Sequence, residues 1–151
     1  MAVDPGLNGT GWATFQGRKL VDQGVLTFRD EKLAWEERAI MYASSIRSLS
    51  IHHKVDRIAC EYPAFFESAA GTMVAKKGDL LKLTSLVGLM WGVVYPLPFL
   101  LVPVNQWKGQ LPKEVVNRRI TAKLGEKACA GIKSHAWDAV GIGLYVNGDF
   151  A

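Results

Sequence analysis

The stretch Met1–Phe15 constrains the fold more than any other part of the chain. Met1-Ala2-Val3 is a short apolar run that ends in Asp4; Pro5-Gly6, Asn8-Gly9 and Gly11 follow, and an alternating segment resumes at Trp12. Glycine supplies the positive φ that tight turns demand and asparagine tolerates it, so these residues read as strand, turn, strand. Asp4 then stands where one strand stops, held by a sheet and facing a loop. A carboxylate so placed serves a metal or phosphate site, or is one member of a plain Asp-Pro-Gly turn. This stretch alone leaves both readings open.

A chain of 151 residues is long enough to bury a core without disulfides or a structural metal, and one domain over 1–151 is expected. With 49% of residues apolar and 21% charged, the chain is globular rather than disordered. A net charge of +4 favours a polyanionic partner only weakly, so the distribution of charge matters more. Cys60 and Cys129 are too few and too isolated for a zinc site of the CxxC type, and reduced thiols in a cytoplasmic protein are expected. No basic segment followed by an apolar core reads as a signal peptide. Leu83 to Val104 is apolar and near spanning length, but Pro96 and Pro98 cut it; a buried helix running into a buried strand is expected, with no membrane span.

Taken in order, Thr10 to Gln16 and Lys19 to Phe28 are strand-like runs joined by a glycine-bearing connection of hairpin length, which with the residues before Asp4 predicts a three-stranded antiparallel meander. From Asp30, placed as a cap, the spacing of Leu33, Ile40, Ala43, Ile46 and Leu49 predicts an amphipathic helix that ends near a solvated His52-His53 pair. Val55 to Cys60 reads as a strand with Glu61 at its end and Tyr62-Pro63 stopping it. Ala64 to Gly78 reads as a loop, and Leu80 to Tyr95 as an apolar helix with Gly88 and Gly92 on one face, where a second backbone would pack closely. Phe99 to Val104 reads as a strand buried on both faces. Pro112 opens a basic helix, and Ser134 caps a last one running from His135 to about Val146. This order of elements indicates an α/β fold, a mixed sheet with helices on both sides.

Asp4 and Glu61 each end a strand, while His135 and Asp138 lie three residues apart near the start of a helix and so share a face. Four such groups at one end of a sheet would repel unless a cation sat among them, and a divalent metal pair is the natural occupant. Singly, each has a plainer reading: a solvated strand end, a helix-cap partner, a first-turn charge favoured by the helix dipole. Asp138 fits the last poorly, because Ala136, Ala139, Val140 and Ile142 make its helix largely buried, and a carboxylate in apolar company needs a partner.

Val3-Asp4-Pro5-Gly6 with Thr10-Gly11, then Ile58-Ala59-Cys60-Glu61, then His135-Ala136-Trp137-Asp138-Ala139 resemble the three motifs of the RuvC-type Holliday-junction resolvases, in the RNase H-like superfamily. The order and spacing match over nearly the whole chain, with His in the last motif where several members have Asp. The resemblance implies an RNase H-like sheet of about five strands, its first three antiparallel, and makes Asp4, Glu61, His135 and Asp138 the catalytic, metal-binding set. It further implies a pair of Mg²⁺ or Mn²⁺ ions per site, hydrolysis to 5′-phosphate and 3′-hydroxyl ends, and a homodimer that nicks both strands of a four-way DNA junction. Gly88, Trp91 and Gly92 are the expected dimer interface.

Lys76, Lys77 and Lys82 follow Glu61, while Lys108, Lys113, Arg118, Arg119, Lys123, Lys127 and Lys133 crowd the region before His135, opposed only by Glu114 and Glu126. Positive charge concentrated on both sides of the carboxylates is the pattern of phosphate binding, although a solvated helix face would share it. By the resemblance Lys113 is a phosphate contact, and Phe65 and Phe66 match loop aromatics that wedge into a junction; core packing is their other reading. Trp107 would stack on a base or anchor its loop. Three rival functions have weaker support. Actin-like kinases share a strand, an acid and a glycine-rich turn but need a longer chain. A non-catalytic junction scaffold would not need all four ligands, while a nuclease acting on RNA or other branched DNA would share the metal chemistry.

Overall fold

The computed structural model describes residues 1–28, 30, 32–63 and 78–150. The chain folds as a five-stranded sheet, ordered β3-β2-β1-β4-β5, whose strands are β1 (Ala2–Asp4), β2 (Thr10–Gln16), β3 (Lys19–Leu26), β4 (Ile58–Tyr62) and β5 (Phe99–Pro103). The pairs β1–β2 and β2–β3 are antiparallel, as the turn residues require, whereas β1–β4 and β4–β5 are parallel. The helices are α1 (Trp35–His52), α2 (Asp79–Val94), α3 (Val104–Trp107), α4 (Lys113–Leu124), α5 (Glu126–Cys129) and α6 (Ser134–Val146).

Alternation along the central strands sends side chains into two separate cores. Val3, Trp12, Ile58 and Cys60 meet Tyr42, Ile46, Leu86 and Met90 of α1 and α2 on one face. Ala2, Ala13, Ala59 and Val102 meet Val116, Ile120, Val140 and Leu144 of α4 and α6 on the other. The second face carries small residues where α6 crosses, which lets that helix lie close to the sheet. At Gly11 the two backbones come so close that a Cβ there would collide with the backbone carbonyl of His135. This contact fixes the start of α6 against β2, beside the end of β1.

Several boundaries depart from the sequence expectations. Helix α1 begins at Trp35, because Glu37 reaches back to accept a hydrogen bond from the Ala34 N–H at 2.9 Å. Asp30 is used before it, in a turn where its carboxylate accepts from the Lys32 N–H. Ser134 makes no capping bond and is the first residue of α6. Strand β5 lies at the sheet edge and leaves Leu100 52% exposed, rather than being buried on both faces. His53 is not solvated like its exposed neighbour His52: it folds against Trp12, with ring centroids 5.6 Å apart. Cys60 and Cys129 are free and buried. Among the described residues no helix is long and apolar enough to cross a membrane.

Candidate active site

Parallel pairing of β1 with β4 sets Val3 beside Cys60, so the next residues, Asp4 and Glu61, are neighbours at the carboxyl ends of the two strands. Because side chains alternate, both leave the α1–α2 core and emerge on the α6 side. The N-terminal part of α6 supplies His135 and Asp138, three residues apart. The loop after Asp4 is tied by Thr10, fully buried, whose hydroxyl donates to the Gly6 carbonyl at 3.3 Å. The sheet and one close-packed helix thus fix all four predicted residues at one end of the molecule.

Asp4 is 6% exposed, and its Oδ2 lies 2.9 Å from His135 Nδ1. Burial pushes Asp4 up from the usual carboxylate range, with the His135 hydrogen bond acting against it, and that same bond pushes His135 up. Both shifts favour protonation within the pair. Glu61 is pushed up to about 7, first by burial and then by the charge of Asp4, with Lys108 pulling the other way. The acids feel one another's charge inside a poorly solvated site, and each additional negative charge makes the next harder to form.

Two residues after β5 answer that charge. Lys108 Nζ lies 3.4 Å from Asp138 Oδ1 and 3.7 Å from Glu61 Oε2, spanning the two carboxylates. Trp107, 3% exposed, donates its Nε1–H to Glu61 Oε2 at 2.8 Å. The sequence placed Lys108 on DNA and offered Trp107 either for base stacking or as an anchor for its loop. The structure turns both inward, and burial of the Trp107 ring removes it from any base. The available signal was position, a Trp-Lys pair just beyond a strand that lies next to the Glu61 strand. Loss of solvent at the carboxylates is what draws the ammonium in, and that depends on tertiary packing.

Three carboxylates and an imidazole are hard and borderline donors, and their mutual repulsion is what a divalent cation relieves, so the donor set fits Mg²⁺ or Mn²⁺ in its chemistry. Among the described residues, however, no three or more His, Cys, Asp or Glu side chains are grouped so as to hold a metal ion. Lys108 spans the space between Glu61 and Asp138 instead.

This fold has known counterparts. A solved structure of T. thermophilus RuvC in complex with Holliday junction substrate matches with a TM-score of 0.65 at 19% identity, over 95% of this chain and 88% of that one. The fold is that of RuvC. A second structure, of Thermus thermophilus RuvC, matches with a TM-score of 0.63 at 19% identity, over 99% of this chain and 96% of the other. No protein-family model matches the sequence, and neither does any curated protein. The RuvC fold accounts for the strand order and for the three antiparallel strands followed by two parallel ones.

Of the residues expected at DNA, Lys113, Arg118 and Arg119 are exposed on α4, and Lys123, Lys127 and Lys133 are exposed nearby. Phe65, Phe66, Lys76 and Lys77 lie outside the described residues. On α2, Gly88 and Gly92 are exposed, and among the described residues a Cβ at either would meet nothing within 4 Å. Trp91 stacks on Phe99 at 5.5 Å and stays 45% exposed. Leu81 on that helix, at 74%, and Tyr95 just past its end, at 79%, extend an apolar stripe that Thr84 and Ser85 interrupt. A cavity of 430 Å³ at the opposite end of the sheet, lined by Phe15, Ile58, Phe99 and Leu100, is remote from all four acid-site residues.

Proposed function

We propose that this protein is a RuvC-type Holliday-junction resolvase, a divalent-metal-dependent endonuclease that nicks four-way DNA junctions in symmetric pairs. The observation that carries the reading is the meeting of Asp4, Glu61, His135 and Asp138 at one end of a RuvC fold, linked by the Asp4–His135 hydrogen bond and the Lys108 bridge. Likeness to RuvC bound to a Holliday junction supports the substrate class. Asp4, Glu61, His135 and Asp138 would hold the pair of Mg²⁺ or Mn²⁺ ions, which when bound supply an activated water and neutralise charge on the scissile phosphate, leaving 5′-phosphate and 3′-hydroxyl ends.

The chain's own residues do the rest. The Asp4–His135 hydrogen bond orients both side chains beside the reacting centre, and Asp138 stays near Lys108, whose ammonium attracts phosphate as well as carboxylate. The exposed cations of α4, with Lys133, track the DNA backbone and contribute affinity that falls with salt. Paired nicks require two sites, and the apolar stripe of α2 is the surface through which a second copy would dock to form a homodimer. Such an enzyme would work in the cytoplasm.

A substrate panel tests this reading. A synthetic four-way junction, a plain duplex and an RNA hairpin are incubated with the protein in Mg²⁺, Mn²⁺ or EDTA. Paired symmetric nicks confined to the junction and abolished by EDTA are expected. Metal-dependent cleavage of the RNA hairpin instead would favour a different RNase H-fold nuclease, and tight junction binding without cleavage would favour a scaffold.

A further inference from the structure

Trp107 touches both of the groups that manage the charge of the site. Its Nε1–H donates to Glu61 Oε2 at 2.8 Å, while the Lys108 ammonium, 3.7 Å from that same oxygen, lies 4.7 Å from the centroid of its ring. The indole is also fixed from outside the site. Phe150 meets it edge-on at 5.5 Å, and α6 presents Gly141, where a Cβ would stand 2.5 Å from Cζ3 of the ring. A glycine at that point of the helix makes room for the indole, so the tryptophan is wedged rather than merely covered.

We propose that Trp107 is a positioning residue that sets the orientation of Glu61 for divalent-cation binding, an inference that rests on the metal-dependent nuclease reading. A glutamate side chain has three rotatable torsions, and one hydrogen bond to Oε2 from a fixed donor removes most of that freedom. The other carboxylate oxygen is then left for a cation. An indole suits the task because its N–H only donates and carries no charge, so it holds a carboxylate without competing electrostatically with the ion. Lys108 lacks that advantage, since its ammonium is itself a cation. Loss of such an outer partner typically lowers metal affinity by about 10- to 100-fold.

The test uses the full chain and Mn²⁺ as the probe. Trp107→Phe keeps an aromatic ring beneath Lys108 and removes the N–H. Incorporation of benzothienylalanine at position 107 keeps the full bicyclic volume and removes the N–H alone, so a folding defect from lost volume does not confuse the result. Calorimetric titration should show the Kd for Mn²⁺ raised about 10-fold or more in both. Junction binding in EDTA should stay within about twofold of wild type, a pattern that a general structural defect would not give. Mn²⁺ affinity within about twofold of wild type in the benzothienylalanine protein would overturn the proposal. Wild-type protein that binds no Mn²⁺ would overturn the nuclease reading, and the positioning role with it.

Discussion

Replacing Glu61 by glutamine removes a charge that the fold accommodates poorly without a cation, and the effect on stability follows from its surroundings. The side chain is 18% exposed, and its pKa is carried from 4.5 to about 7 by burial and by the charge of Asp4, against the pull of Lys108 and of the Trp107 N–H. A carboxyl group with a raised folded pKa binds its proton more tightly in the folded state than in the unfolded one. Stability is therefore lost as pH rises from about 4.5 through about 7 and then levels off. At about 1.4 kcal/mol for each tenfold difference in proton affinity, the loss is of order 3 kcal/mol as an upper figure, since water reaching part of the group reduces it. Urea unfolding followed by far-UV circular dichroism in EDTA, at steps between pH 4.5 and pH 8, measures it. Wild type should lose stability across that window relative to Glu61→Gln, and the variant should be the more stable protein at pH 8. Adding Mn²⁺ should narrow the difference, because a cation stabilises the carboxylate and not the amide. Parallel profiles for the two proteins would refute the reasoning.

Other outcomes follow from single side chains and small groups of them. Gly11→Ala drives a methyl group into the His135 carbonyl and should cost about 3 kcal/mol, seen as a fall of about 10 °C in Tm by calorimetry. Changing Lys113, Arg118 and Arg119 together to glutamine should weaken junction binding across all sequences. In fluorescence anisotropy the slope of log affinity against log salt should flatten by about 0.9 for each phosphate that is no longer neutralised. Trp91→Asp places a charge in the exposed stripe of α2 and should shift sedimentation from dimer to monomer; a wild-type protein that sediments as a monomer at tens of micromolar would contradict the α2 interface.

The antiparallel half of the sheet was legible because local chemistry dictates it: Asp4-Pro5-Gly6 and Asn8-Gly9 turn the chain, and Gly17 turns it again at a φ of 57°. The lateral pairing of β1 with β4 was not local. Strand ends at Asp4 and Glu61 were readable, but that they stand side by side came only through the resemblance. Strand β5 misled because an apolar run reports hydrophobicity and not the number of neighbouring strands, and an edge strand against α2 has the same composition as a central one. Asp30 misled because a capping residue serves a turn as readily as a helix. At the site, sequence showed the charge of Lys108 but not its direction. Whether a lysine faces DNA or a buried carboxylate depends on how much solvent those carboxylates have lost, which is a property of the packed α6 and β5 together.

The claim at the centre of this account is that Asp4, buried at the end of β1, belongs to the machinery that cuts a junction. Asp4→Asn keeps the shape of the side chain and deletes its charge, so it separates cutting from binding. Denaturing gels of an end-labelled four-way junction with Mg²⁺, alongside a gel-shift titration in EDTA, measure both. Paired nicks in wild type that are lost in Asp4→Asn, with junction affinity retained, are predicted; paired nicks that persist in Asp4→Asn would contradict it.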